Sequence, residues 1–260
     1  RIEVIPTGVV LDRFCHGDGA TFRRQYGIPQ DAFVVGHIGR LATEKNIAFL
    51  AEAVVECVDE MDDVWFVVAG EGCCAEDIRR IFAERNLSAR LVLEGVFPDN
   101  RLADAYAAMD VFAFASQSET QGMVITEAMA AGLPVVALDG PGVRETVRDG
   151  LNGRLLPDRN IGEFAAAVGS FMQLPVSKMR QFQDAARATA KSLSMDVSAQ
   201  QALALYSELV QVGANRVNLD LWSSANRRFA QVWKLWENIV DSAGDSILRL
   251  EYEDEAMACS

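Results

Sequence analysis

Histidine is nearly absent: His16 and His37 are the only two in 260 residues. That scarcity argues against hydrolysis by a His-activated nucleophile and against a His-rich metal centre. Cysteine is sparse and odd in number, at positions 15, 57, 73, 74 and 259. No CxxC pair and no Cys/His group has metal-ligand spacing, so reduced thiols in a cytoplasmic protein, with no metal site, are expected. Positive charge is also short, with 24 basic against 37 acidic residues and a net charge of −13. Nucleic-acid binding normally shows as a basic patch, and none is expected here. No apolar run reaches the roughly 18–20 residues needed to cross a bilayer, and no signal peptide is expected. Arg1 to Pro6 reads as the interior of a protein rather than its start.

What is present is a regular alternation. Short β-branched runs at 33–38, 64–69, 90–94, 111–115, 134–137 and 153–156 read as strands. Helix-length pieces at 45–60, 75–86, 99–108 and around Glu127 separate them. Continuous apolar strands joined by helices predict a parallel sheet covered on both faces, a doubly wound Rossmann-like α/β domain. Further helices are expected at 161–173, 177–193 and 197–212. The expected organisation is an interdomain segment over 1–32, the sheet domain over 33–212, and an amphipathic helix with an acidic tail over 213–260.

Ligands in such a sheet bind beyond the carboxyl ends of the strands, which singles out the loops 39–46, 70–74, 95–98, 116–122 and 138–143. Gly39 permits a tight turn, and Arg40 and Lys45 follow it. An arginine fork grips a diphosphate and a lysine adds a point charge. The plainer alternative is an exposed Arg40 and a Lys45 that pairs with Glu44. Glu119 and Glu127 flank the turn Gln121-Gly122, where a helix begins and leaves its first amides open to phosphate. Carboxylates so placed accept hydrogen bonds from sugar hydroxyls. Glu119 also suits the helix dipole. Glu127 lies among Val124, Ile125, Ala128 and Met129, so it needs water, a partner or a ligand. A rival signal is Gly70-Glu71-Gly72-Cys73-Cys74-Ala75, which matches the dinucleotide fingerprint and leaves an NAD-dependent oxidoreductase open.

Over residues 2–212 the chain resembles the retaining glycosyltransferases of family 4, which have the GT-B fold. The resemblance rests on Val4-Ile5-Pro6-Thr7-Gly8-Val9, Gly39-Arg40-Leu41, Glu44-Lys45, Gly70-Glu71-Gly72 and Gly95-Val96. It continues through Glu119 to Glu127, the E-x7-E element, and Gly150-Leu151-Asn152-Gly153. The resemblance implies the C-terminal, donor-binding half of such an enzyme. Arg40, Lys45 and Glu119 would then act on the donor. Gly39, Gly70, Gln121, Gly122, Met123, Val124 and Glu127 would bind it, with Glu127 on the ribose and Val96 and Phe97 at the base. A nucleotide-diphospho-sugar is the implied donor, without a metal ion or other cofactor, and protein cations would stabilise the leaving diphosphate. An N-terminal acceptor-binding domain, in cis or in trans, is the implied partner, so the chain alone is expected to bind donor but transfer poorly. Glu119-Thr120-Gln121-Gly122 is similar to the variant in diacylglycerol glucosyltransferases, which implies a lipid or small-molecule acceptor. A binding module without catalysis is the alternative.

Beyond the resemblance, Trp222, Ala225, Phe229, Val232, Trp236 and Ile239 form a helical stripe. It fits either packing on protein or peripheral contact with a membrane surface. Four basic against three acidic residues over 213–243 leave about +1, too weak for strong attraction to anionic lipid, and packing is the expectation.

Overall fold

A computed structural model describes residues 2–61 and 63–214. The stripe from Trp222 to Ile239 and the acidic tail lie outside the described residues. The chain divides into two compact units, Arg1–Ala202 and Leu203–Ser260, and the sheet lies wholly in the first. Among the described residues no helix is long and apolar enough to cross a membrane.

Six strands carry the fold: β1 Phe33–Ile38, β2 Val64–Ala69, β3 Leu91–Glu94, β4 Val111–Phe114, β5 Val135–Leu138 and β6 Gly153–Leu156. They form one sheet in the order β3-β2-β1-β4-β5-β6, with every pair parallel. The order reverses between β1 and β4, so the crevice of a doubly wound sheet opens beyond Ile38 and Phe114. Nine helices complete the described residues: α1 Gly19–Gln25, α2 Ile47–Glu60, α3 Ala75–Glu84, α4 Asp99–Ala107, α5 Met123–Ala130, α6 Pro141–Arg144, α7 Ile161–Met172, α8 Val176–Ser192 and α9 Met195–Ala214.

Alternating side chains divide the core in two, as the pleat requires. Val35, Phe66, Val68, Ala113 and Val136 pack with α2, α3 and α7 on one face. Val34, Val67, Phe112, Phe114 and Val135 pack with α1, α4, α5 and α8 on the other. Buried Cys57 on α2 donates its Sγ hydrogen to the Ala165 carbonyl on α7 at 3.0 Å. Burial pushes that thiol up to about 11, which keeps it unreactive at neutral pH.

Two short helices, α1 and α6, were not expected from the sequence. α1 lies in the segment before β1, where Asp18 caps it by accepting from the Thr21 amide at 2.9 Å. Its buried Arg23 donates to the Ala108 and Ala32 carbonyls and to Asp110 at 2.7–2.9 Å. Phe14, Phe22, Ile28 and Ala32 therefore join the same core as the sheet. The helix expected from Lys45 begins later, at Ile47, because Thr43–Lys45 forms a 3-10 turn and Asn46 takes a left-handed conformation at φ 53°. Asn46 tolerates that conformation, and its side-chain amide donates to the Ala115 carbonyl at 2.9 Å.

Candidate functional site

The carboxyl edge of the sheet opens on two neighbouring cavities. One, of about 380 Å³, lies at the β1/β4 crevice and is lined by Thr7, His37, Gly39, Arg40, Lys45, Phe114 and the run Glu119 to Val124. The other, of about 330 Å³, is lined by Ile38, Gly39, Arg40, Ala69, Gly70, Glu71, Val96, Phe97 and Leu102. Gly39 and Arg40 border both. The first mixes polar and apolar walls and carries charge of both signs; the second has walls that are largely apolar.

Backbone hydrogen bonds set the first wall. The Gly39 amide donates to the Ala69 carbonyl at 3.0 Å, and the Leu41 and Cys74 amides tie 39–41 to 71–74 at 2.9 Å. This cross-tie explains the glycines of the rival fingerprint. A Cβ on Gly70, which sits at φ +146°, would lie 1.8 Å from the Gly39 carbonyl oxygen. The glycine-rich turn is thus built for the approach of two loops within the protein. It also follows β2, whereas a dinucleotide fingerprint belongs to the first βα turn.

The cations take different partners from those the plainer sequence alternative offered. Glu44 pairs with Arg40 at 2.9 Å, not with Lys45, and the Arg40 side chain remains 70 % exposed. Lys45 reaches across the crevice to Glu119, each side chain being 18 % exposed. A mostly buried lysine–carboxylate pair thus lines the first cavity, with the exposed Arg40 held by Glu44 at the border it shares with the second.

The opposite wall is the loop before α5. Gly122 caps the helix at φ 65° and contributes no side-chain acceptor, so the helix start presents its amides towards the cavity. Gln121 does more than lend a backbone amide. Its side chain donates to the Thr7 carbonyl at 2.6 Å and accepts from the Thr7 amide at 2.8 Å. The segment before β1 is thereby latched to the loop that holds Glu119. From behind, the Gly142 amide donates to the Glu119 carbonyl at 3.2 Å.

The structure places the other residues singled out from the sequence as follows. Met123 and Val124 line the first cavity; Val96 is exposed and Phe97 is buried, both at the second. Glu127 lines neither. It lies one turn along α5 from Met123 and accepts from the Tyr106 hydroxyl at 3.0 Å, a partner that the sequence did not reveal. Burial raises the Glu127 carboxyl above its ordinary range, partly offset by the Tyr106 hydroxyl and by Arg13. The same burial, with the Glu127 charge added, raises the Tyr106 phenol well above its usual value.

Two further features went unread. Asp12, Cys15 and His16 converge within 4.8 Å although their spacing flagged nothing; all three are exposed. His37 sits 2 % exposed inside an otherwise apolar strand, and a lone histidine in such a run was its only signal. Its Nδ1 lies 3.0 Å from the Ala113 carbonyl. Burial, with Lys45 nearby, lowers its pKa from 6.5 to about 4, although the Ala113 bond opposes this.

Between pH 6.5 and 4 the unfolded chain therefore binds a proton at His37 that the folded chain does not, and stability rises with pH across that window. Glu127 acts with the opposite sign, because its raised pKa lets the folded state take a proton first as pH falls. Urea titrations of wild type and His37→Asn check this: between pH 7 and 5 wild type is expected to lose about 2 kcal/mol more than the variant. Equal losses would show that His37 does not titrate in this way.

The crevice, its cations and the uncapped helix start together form the candidate site at the switch point of a doubly wound sheet. Residues 18–189 match the model for Glycosyl transferases group 1, and the chain belongs to that family. An alpha-D-kanosaminyltransferase from Streptomyces kanamyceticus is 29 % identical over 80 % of this chain and 54 % of its own length. A D-inositol 3-phosphate glycosyltransferase from Kribbella flavida is 32 % identical over 79 % of this chain and 50 % of its own. The chain thus spans about half the length of these relatives. Among solved structures, Anabaena HepE in complex with UDP and glucose superposes with a TM-score of 0.71 at 27 % identity, covering 79 % of this chain and 56 % of that one. Sucrose-phosphate synthase from Thermosynechococcus elongatus superposes at 0.68 and 27 %, covering 81 % and 53 %.

Proposed function

We propose that this chain is the C-terminal, donor-binding half of a retaining GT-B glycosyltransferase of family 4, and that its donor is a nucleotide-diphospho-sugar. The observation that carries this is the shared crevice: Arg40 and Lys45 on one wall face the uncapped α5 start and Glu119 on the other. The diphosphate lies between the two walls, held by the cations and by the amides of Gln121 to Val124. The hexose occupies the remainder of the first cavity, where Glu119 accepts from its hydroxyls. The base enters the apolar second cavity beside Val96 and Phe97; Glu127, which the family resemblance assigns to the ribose, lines neither cavity and is held by Tyr106, so it reaches the ribose only by leaving that bond. UDP is the favoured carrier, in keeping with the UDP and glucose in the HepE structure.

Transfer then proceeds without a metal ion. Arg40 and Lys45 take up the charge that develops on the departing diphosphate, in a site prearranged to receive it. Retention follows from attack on the face the diphosphate leaves, with a phosphate oxygen accepting the acceptor's proton. The acceptor is bound by a further domain, in cis or in trans, consistent with a match that covers only about half of each relative. A titration of the 260-residue chain with UDP-glucose and with NADH tests the donor reading. Saturable binding of UDP-glucose without binding of NADH is the expected result; binding of NADH alone would overturn it.

A further inference from the structure

His37 offers the first cavity an acceptor that nothing in the protein uses. Its Nε2 has no hydrogen-bond partner although the ring is buried and lines that cavity. The tautomer follows from the other nitrogen. A carbonyl oxygen only accepts, so Nδ1 must carry the hydrogen it donates to Ala113. In the neutral ring Nε2 then presents a bare lone pair. The ring is also held in place, nearly parallel to Phe112 at 6.0 Å and against Phe114 at 6.2 Å. Gly39 adjoins it: a Cβ there would lie 3.6 Å from Nε2, in ordinary contact.

An unpartnered acceptor in a buried site is costly unless a ligand completes it. A phosphate oxygen does not serve, since lone pair would face lone pair. A hydroxyl does. His37 lines the cavity that holds Lys45, Glu119 and the α5 start, and it is absent from the apolar cavity beside Val96. The donor hydroxyl that reaches it is therefore on the hexose and not on the nucleoside. We propose that His37 is a specificity-determining residue whose Nε2 accepts a hydrogen bond from a hydroxyl of the donor hexose. This rests on the donor-binding reading above. Together with Glu119 it gives the sugar a neutral acceptor and an ionised one, and an analogue lacking the matching hydroxyl leaves Nε2 unpaired and is disfavoured.

Two substitutions separate the roles of the two ring nitrogens. His37→Asn keeps a donor at the Nδ1 position for Ala113 and removes the cavity acceptor. His37→Gln keeps an acceptor at the Nε2 position and removes the donor to Ala113. Isothermal titration of the 260-residue chain with UDP-glucose and with UDP reads the outcome. His37→Asn is expected to weaken UDP-glucose by about fivefold to tenfold while UDP stays within about twofold. His37→Gln is expected to hold UDP-glucose affinity within about twofold of wild type, with a lower melting temperature. Parallel weakening of UDP and UDP-glucose in His37→Asn would assign the effect to packing and overturn the proposal. So would unchanged affinity for both, or a loss of UDP-glucose in His37→Gln as large as in His37→Asn. Failure of wild type to bind either ligand would overturn the donor-binding reading itself, a result distinct from these.

Discussion

Lys45→Met is expected to weaken UDP-glucose binding by about a hundredfold or more, and to do so far more severely than Arg40→Ala. The two cations differ in setting. Lys45 and Glu119 are each 18 % exposed and paired across the crevice, whereas Arg40 is 70 % exposed and tied to Glu44. Removing one member of a largely buried pair costs about 3–5 kcal/mol, because the other charge is stranded. In Lys45→Met the stranded group is the Glu119 carboxylate, which then confronts the incoming diphosphate with its own negative charge. Arg40→Ala removes a solvated fork from the rim, where a paired charge is worth only about 0–1 kcal/mol before the ligand arrives. Glu119→Gln provides the converse. It frees Lys45 for the diphosphate, so UDP affinity is maintained or raised while the preference for UDP-glucose over UDP shrinks. Titration of the three variants with both ligands checks the ordering; equal losses in Lys45→Met and Arg40→Ala would contradict the unequal roles.

Gly70→Ala is expected to damage the fold and not merely the pocket. Its Cβ would sit 1.8 Å from the Gly39 carbonyl oxygen, and φ +146° is strained for any side chain. Relief requires the 39–41 and 70–72 loops to separate, breaking the cross-ties that hold Arg40 in place. Strain and overpacking together come to about 3 kcal/mol, or roughly 6–12 °C in melting temperature for a domain of this size. Differential scanning calorimetry reads this directly. Were the glycine present only to let a pyrophosphate approach, the substitution would impair ligand binding and leave the melting temperature unchanged.

The sheet was legible because its strands are continuous apolar runs, the signature of burial on both faces. The location of the candidate site followed from that architecture, since Gly39-Arg40 and Gln121-Gly122 both come at carboxyl ends of strands that the topology makes neighbours. Pairings were harder to read. Neighbouring Glu44 and Lys45 cannot face each other on a tight turn, whereas Arg40 and Glu44 are four residues apart and do. The Lys45–Glu119 pair spans loops far apart in sequence and depends on the β1/β4 crossover. Glu127 needed a partner on chemical grounds, but only α4 packing against α5 identifies it as Tyr106. α1 was invisible to periodicity because its buried charged residue, Arg23, breaks the apolar pattern and is satisfied by three carbonyls and Asp110. His37 was hidden for the opposite reason: it lies in a strand pattern that fills the core.

A crystal structure of the 260-residue chain with UDP-glucose tests the central claim most directly. The account predicts the diphosphate between the Arg40–Lys45 wall and the amides of Gln121 to Val124, with the uracil beside Val96 and Phe97 and the glucose against Glu119. A nucleotide seated instead on the Gly70–Ala75 turn, with the β1/β4 crevice empty, would contradict it.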